Sequence, residues 1–112
     1  LNYLGYTLVE DNTNLDEAGR LLEKAVALDP NNGAYIDSRG WLRFRQGRLK
    51  EALADLENAS KLLQDPVIYD HLGDVYVRLK DPAKARASWE KSLELDDKQE
   101  SVRGKLDALK IK

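Results

Sequence analysis

The stretch GAYIDSRGWLRFRQGRLKEALADLENASKLLQD, residues 33–65, decides the fold. Within it Gly40 is followed 12 residues later by Ala52 and 7 further on by Ala59, with Gln46, Gly47 and Arg48 between them. The same arrangement recurs on either side, as Gly5, Ala18 and Ala25 before it and Gly73, Ala85 and Ser92 after it, at intervals of 33 to 35 residues. A fixed period of this length marks stacked supersecondary units, each too small to bury its own apolar face alone. The small residues mark where two antiparallel helices cross closely, because a larger side chain there would hold the backbones apart.

The punctuation agrees with the period. First helices end at Asp11–Asn14, at Gln46-Gly47-Arg48 and at Lys80-Asp81-Pro82, residues that stop helices and favour turns. Second helices carry apolar stripes at helical spacing: Ala18, Leu21, Leu22, Ala25 and Leu28, then Leu49, Ala52, Leu53, Leu56 and Ala59, then Ala85, Trp89, Ser92, Leu93 and Leu95. They break at Asp29-Pro30-Asn31-Asn32, at Gln64-Asp65-Pro66 and at Asp96-Asp97. Val102, Leu106 and Leu109 then form the stripe of an amphipathic closing helix, which covers the last hairpin. The expected organisation is one domain over residues 1–112, with units at about 1–32, 33–65 and 66–97 and a capping helix at about 98–110. Methionine is absent even from position 1, and Leu1, Leu4 and Leu8 open the chain as an uncovered helix, so the sequence is expected to be a piece of a longer protein. That uncovered end is a candidate for self-association.

Composition narrows the function. Charged residues at 34% with hydrophobic ones at 42% fit an ordered, helix-rich chain. No apolar run approaches the roughly 20 residues that cross a bilayer, so no membrane insertion by this chain is expected. A formal net charge of -2 provides no global positive field for phosphate backbones, and nucleic acid is not an expected partner. Without cysteine there is neither a disulfide framework nor a thiolate metal site.

The glycine, alanine and proline positions on helix-turn-helix units resemble the tetratricopeptide repeat family over nearly the whole chain. The resemblance implies an all-α fold, a right-handed α-solenoid of three helical hairpins plus a C-terminal capping helix. The chain departs from the family pattern at Arg39 and Arg43, where large apolar residues are usual, at Ser92 for alanine, and at Asp97, which stands where Pro30 stands in the first unit. A narrower likeness lies in residues 1–8, in Asp37-Ser38-Arg39-Gly40-Trp41 and in His71-Leu72-Gly73-Asp74-Val75-Tyr76. These resemble the last repeats of bacterial tetratricopeptide proteins, many of them predicted lipoproteins on the periplasmic face of the outer membrane. That implies an adaptor or assembly role; a periplasmic location is suggested by resemblance only, with the cytoplasm as the alternative.

The family's geometry puts first helices along a concave groove that suits peptide segments. Groove-facing positions would be Asn2, Tyr6, Val9 and Glu10 in unit one, Asp37, Trp41, Phe44 and Arg45 in unit two, and Asp70, Asp74, Val77 and Arg78 in unit three. Trp41 and Tyr6 would supply amphipathic contact area, and the aspartates would receive basic groups. Against this, Trp41, which follows Gly40 in a tightly packed helix, fills the core next to the third unit equally well, Trp89 reads as core, and Asp70 and Asp74 have Arg45 and Arg78 as candidate ion-pair partners. The lysine, asparagine and arginine set with which some family members clamp a terminal carboxylate is missing, which disfavours chaperone tails as ligands. The leading expectation is a non-catalytic scaffold that binds a protein or peptide; the alternative is a structural end of a longer solenoid.

Catalysis has little to stand on. His71 is the single histidine, and no nucleophile motif accompanies it. His71 with Asp70 and Asp74 falls short of the three or four ligands of a dedicated zinc site and reads as a partly exposed helix residue. Residues 28–40 lack the closing acid of a calcium loop. No cofactor and no metal are expected.

Overall fold

The computed structural model describes residues 15–111, with side chains through Lys110. Asn2, Tyr6, Val9 and Glu10, the leucines at 1, 4 and 8, Gly5 and the turn at 11–14 lie outside the described residues. Six α-helices follow in order: α1 (Leu15–Leu28), α2 (Gly33–Arg45), α3 (Leu49–Leu62), α4 (Pro66–Arg78), α5 (Pro82–Leu95) and α6 (Glu100–Ile111). No strand occurs among the described residues.

The turn residues act as anticipated, through identifiable hydrogen bonds. Asn32 caps α2 by accepting from the Tyr35 N–H at 3.0 Å. Asp65 caps α4 through Val67 N–H at 2.8 Å, and Asp81 caps α5 through Lys84 N–H at 3.2 Å. Pro66 and Pro82 stand at the following helical positions, where a missing N–H is harmless. Each such cap is worth about 1 kcal/mol. The first helices α2 and α4 end alike. Arg48 N–H donates to Arg43 C=O at 2.8 Å and Asp81 N–H to Tyr76 C=O at 2.9 Å, six-to-one closures that need a left-handed residue just inside them. Gly47 supplies it in the first case (φ 79°), and Lys80 in the second (φ 63°).

The chain divides into two compact units, residues 1–63 and 64–112. In the first, Ala18 and Leu22 of α1 and Leu42 of α2 form a buried cluster, against which Leu15 and Trp41 pack. The α2–α3 crossing is set by Gly40, whose missing Cβ would lie 2.9 Å from Leu56 Cγ and 3.0 Å from Asp55 Cβ. Ala52 and Ala59 on α3 are fully buried, as their spacing required.

In the second unit Ala85 and Trp89 of α5 and Val102 and Leu106 of α6 make the core, extended by Tyr76, Leu93 and Leu109. Trp89 is buried, and its indole N–H donates to the Asp70 backbone carbonyl at 3.2 Å. Ser92 is wholly buried. Its hydroxyl donates to Pro66 C=O at 2.7 Å and accepts from Gln99 Nε2 at 2.9 Å, so the departure from alanine ties α5 to the start of α4 and to the turn before α6.

Candidate partner-binding surfaces

On α2 the expected contact residues Asp37, Trp41, Phe44 and Arg45 fall on one face at helical spacing, and all four are half-buried. Trp41 and Phe44 stack with ring centroids 5.0 Å apart and planes 25° from parallel. Trp41 therefore does two things at once: one edge packs on the Ala18, Leu22 and Leu42 cluster while the ring carries Phe44. The core it joins is shared with α1, whereas the sequence alone places it beside the third unit, and the side chain is large enough to serve core and surface together.

On α4 the equivalent positions are Asp70, Asp74, Val77 and Arg78. Val77 and Arg78 are exposed, while Asp70 and Asp74 are half-buried. Both carboxylates meet one cation from α6: Lys105 Nζ lies 2.8 Å from Asp70 Oδ1 and 3.0 Å from Asp74 Oδ1. The same ammonium sits 5.8 Å from the Trp89 ring centroid. Burial pushes the Asp74 carboxyl above the ordinary carboxylate range, against the opposing pull of Lys105. Burial also pulls on the Lys105 ammonium, but its hydrogen bonds to Asp70 and Asp74 outweigh this and hold it above the usual lysine value. Burial dominates at Asp74, which shares Lys105 with a neighbouring anion, whereas the lysine has two anions of its own. Lys105 was not singled out in the sequence. Its signal is its place between Val102 and Leu109 on the apolar side of α6.

Arg39 and Arg43 lie on another side of α2, and both reach a buried acid. Arg39 grips Asp55 of α3 with two parallel bonds, Nε to Oδ2 at 3.0 Å and Nη2 to Oδ1 at 2.8 Å. Arg43 Nη1 adds a third to Oδ2 at 2.9 Å. The bond to Asp55 raises the Arg39 guanidinium further above its already high value. Both arginines also face Glu23 of α1, at 3.8 Å from Arg39 and 3.2 Å from Arg43. Ion pairs thus replace the apolar packing usual at these positions. Asp55 interrupts the apolar stripe of α3 between Ala52 and Leu56, which is its mark in the sequence.

His71 is buried, at 6% exposure, which corrects the expectation of a partly exposed residue. The surrounding Leu72, Gly73 and Val75 are buried too, so this turn of α4 belongs to the core. Among the described residues no three potential metal ligands cluster, and no helix is long and apolar enough to cross a membrane.

Comparison with known proteins adds to this geometry. The TPR repeat-containing protein PA4667 of Pseudomonas aeruginosa is 42% identical over 74 residues, which are 66% of this chain and 12% of that protein. The type IV pilus assembly protein PilF of the same organism is 35% identical over 82 residues, 70% of this chain and 32% of that one. This chain thus spans a third or less of these curated relatives. A solved structure of P. aeruginosa pilF superposes with a TM-score of 0.86 at 29% identity, covering 96% of this chain and 50% of that one. The first TPR of Spaghetti (RPAP3), bound to the HSP90 peptide SRMEEVD, gives a TM-score of 0.86 at 20% identity, covering 97% and 92%. At that identity the likeness shows the fold, an all-α helical repeat. The family model described as tetratricopeptide repeat-like domain matches residues 11–111, and with hairpins capped and crossed as the repeat demands, the chain belongs to the tetratricopeptide repeat family.

Proposed function

We propose that this chain is a non-catalytic protein-interaction module that receives a segment of a partner protein on its first-helix faces. The observation that carries this reading is the half-buried Trp41–Phe44 stack on α2, flanked by Asp37 and Arg45. A rigid aromatic pair fixed by the core beneath it offers large contact area at little conformational entropy, with charged groups at its edges to orient a ligand. A structural relative solved with a peptide supports the mode of binding. On α4, Asp70 and Asp74 are engaged by Lys105. Asn2, Tyr6 and Glu10 belong to the same proposal by register.

A relative named for pilus assembly supports an adaptor role in building a larger protein complex. A periplasmic setting is part of this proposal, and cell fractionation of the parent protein tests it.

The direct test is site-specific photocrosslinking in the parent protein. Benzoylphenylalanine at position 44 is expected to trap a partner, whereas the same probe at the exposed Asn58 of α3 is not. Adducts at 58 but not at 44 would refute the reading. Asp37→Lys with Arg45→Glu is expected to lower the adduct yield at 44 several-fold with the melting curve retained.

A further inference from the structure

A second surface lies on the opposite side of α2 from Trp41 and Phe44. A cleft of about 530 Å³ opens between α1 and α2, and among the described residues it is lined by five cations, Arg20, Lys24, Arg39, Arg43 and Arg48, against the carboxylates of Asp16 and Glu23. At 3.6 residues per turn, Arg39, Leu42, Arg43 and Gln46 face away from Asp37, Trp41, Phe44 and Arg45.

Three features give this cleft a preference. First, Arg39 and Arg43 are held from behind by the buried Asp55, so their guanidinium groups are pre-oriented. Second, a carboxylate already occupies the position in front of them. Glu23 Oε1 lies 3.2 Å from Arg43 Nη2 and 3.8 Å from Arg39 Nη1, on a side chain that is 58% exposed and free to swing into solvent. Third, Arg20 and Lys24 flank Glu23 on α1, are exposed, and have no ion-pair partner among the described residues. Leu42 and Gly19 form an apolar floor beneath these charges.

We infer that this cleft binds an acidic, extended segment of a partner protein. One carboxylate of the segment displaces Glu23 from Arg39 and Arg43, neighbouring carboxylates meet Arg20 and Lys24, and an aliphatic stem rests over Leu42. With the Arg39 fork closed on Asp55, Arg39 Nη1 and Arg43 Nη2 are the donors turned toward an incoming carboxylate, one from each guanidinium. The net charge of -2 gives no long-range attraction for a nucleic acid, so the selectivity is local rather than a matter of total charge. The site is independent of the α2 face proposed above, and either can fail without the other.

Chemical-shift titration of the 112-residue chain with oligoglutamate tests this, with oligolysine and a single-stranded oligonucleotide as comparison probes. Oligoglutamate is expected to shift the amides of Arg20, Glu23, Lys24 and Arg43, and to bind several-fold more weakly between about 50 and about 300 mM NaCl. Arg20→Glu with Lys24→Glu is expected to weaken binding at least tenfold with helicity unchanged, since both residues are exposed; Arg20→Ala with Lys24→Ala provides a milder version. Glu23→Gln, which removes the competing charge in front of the arginines, is expected to tighten binding several-fold. Unchanged affinity in the charge-reversed variant, shifts confined to Asp37, Trp41, Phe44 and Arg45, or equal binding of the oligonucleotide would each overturn the inference.

Discussion

The indole of Trp89 lies so close to Gly73 that a Cβ on that glycine would fall 2.1 Å from the indole Nε1. The ring is locked on its other side by the Ala85, Val102 and Leu106 cluster and cannot retreat. Gly73→Ala is therefore expected to destabilise the second unit by about 3 kcal/mol or more, well beyond the roughly 1 kcal/mol that alanine gains in helix propensity. Gly40→Ala, which meets aliphatic carbons at 2.9 to 3.1 Å, is expected to cost less. Urea unfolding of both variants checks the order, and Trp89→Phe should restore part of the loss in Gly73→Ala.

Asp55 is nearly buried and accepts three bonds from two arginines. Asp55→Ala leaves both guanidiniums with only the exposed Glu23 to pair with and is expected to cost about 3 kcal/mol, whereas replacing the set with Arg39→Leu, Arg43→Tyr and Asp55→Ala is expected to be close to neutral or stabilising. Denaturant midpoints of the single and triple variants measure the difference; equal losses would contradict it.

Lys105 has its pKa raised in the fold above the reference 10.5. A raised lysine contributes stability that is fully present below its ordinary value and fades as pH climbs through the folded one. Melting temperature should therefore fall more steeply in the wild type than in Lys105→Met above about pH 10.5. Asp74 is also raised, chiefly by burial, so its own contribution is largest in acid and fades as pH rises through the folded value. Asp74→Asn, which leaves Asp70 to hold Lys105, is expected to change stability at pH 7 by no more than about 1 kcal/mol.

Lys80 occupies the left-handed turn position that Gly47 occupies in the preceding hairpin. A side chain with φ near 63° is strained where glycine is not. Lys80→Gly is expected to stabilise by about 1 kcal/mol, offset in part by the greater freedom of the unfolded chain, and Gly47→Lys to destabilise by a similar amount. Thermal melts of the two reciprocal variants decide it.

The hairpins were legible because their signals are local or periodic. Gly40, Ala52 and Ala59 repeat at fixed spacing, and Asn32, Asp65 and Asp81 lie within three residues of the N–H groups they cap. The ion pairs were not legible. Arg39 finds Asp55 across 16 residues, and Lys105 finds Asp70 and Asp74 across 35 and 31. Nothing in the identity of a charged residue tells which distant partner the crossing of two helices will bring to it. His71 misled for the opposite reason: it looks polar in isolation, but its register beside Leu72 and Gly73 carries it inward.

The Asp55 network also limits how this repeat can be exchanged. In an array joined by apolar side chains, a helix can be replaced by one of similar volume and its neighbours repack. Here α3 carries one half of a lock and α2 the other, with Glu23 on α1 as a third tumbler. Grafting α3 alone from another repeat leaves two guanidiniums with only the exposed Glu23 to pair with, and grafting α2 alone leaves a buried anion without its cations. Residues 15–62 therefore transfer as one piece: a designer who borrows this segment must take all three helices.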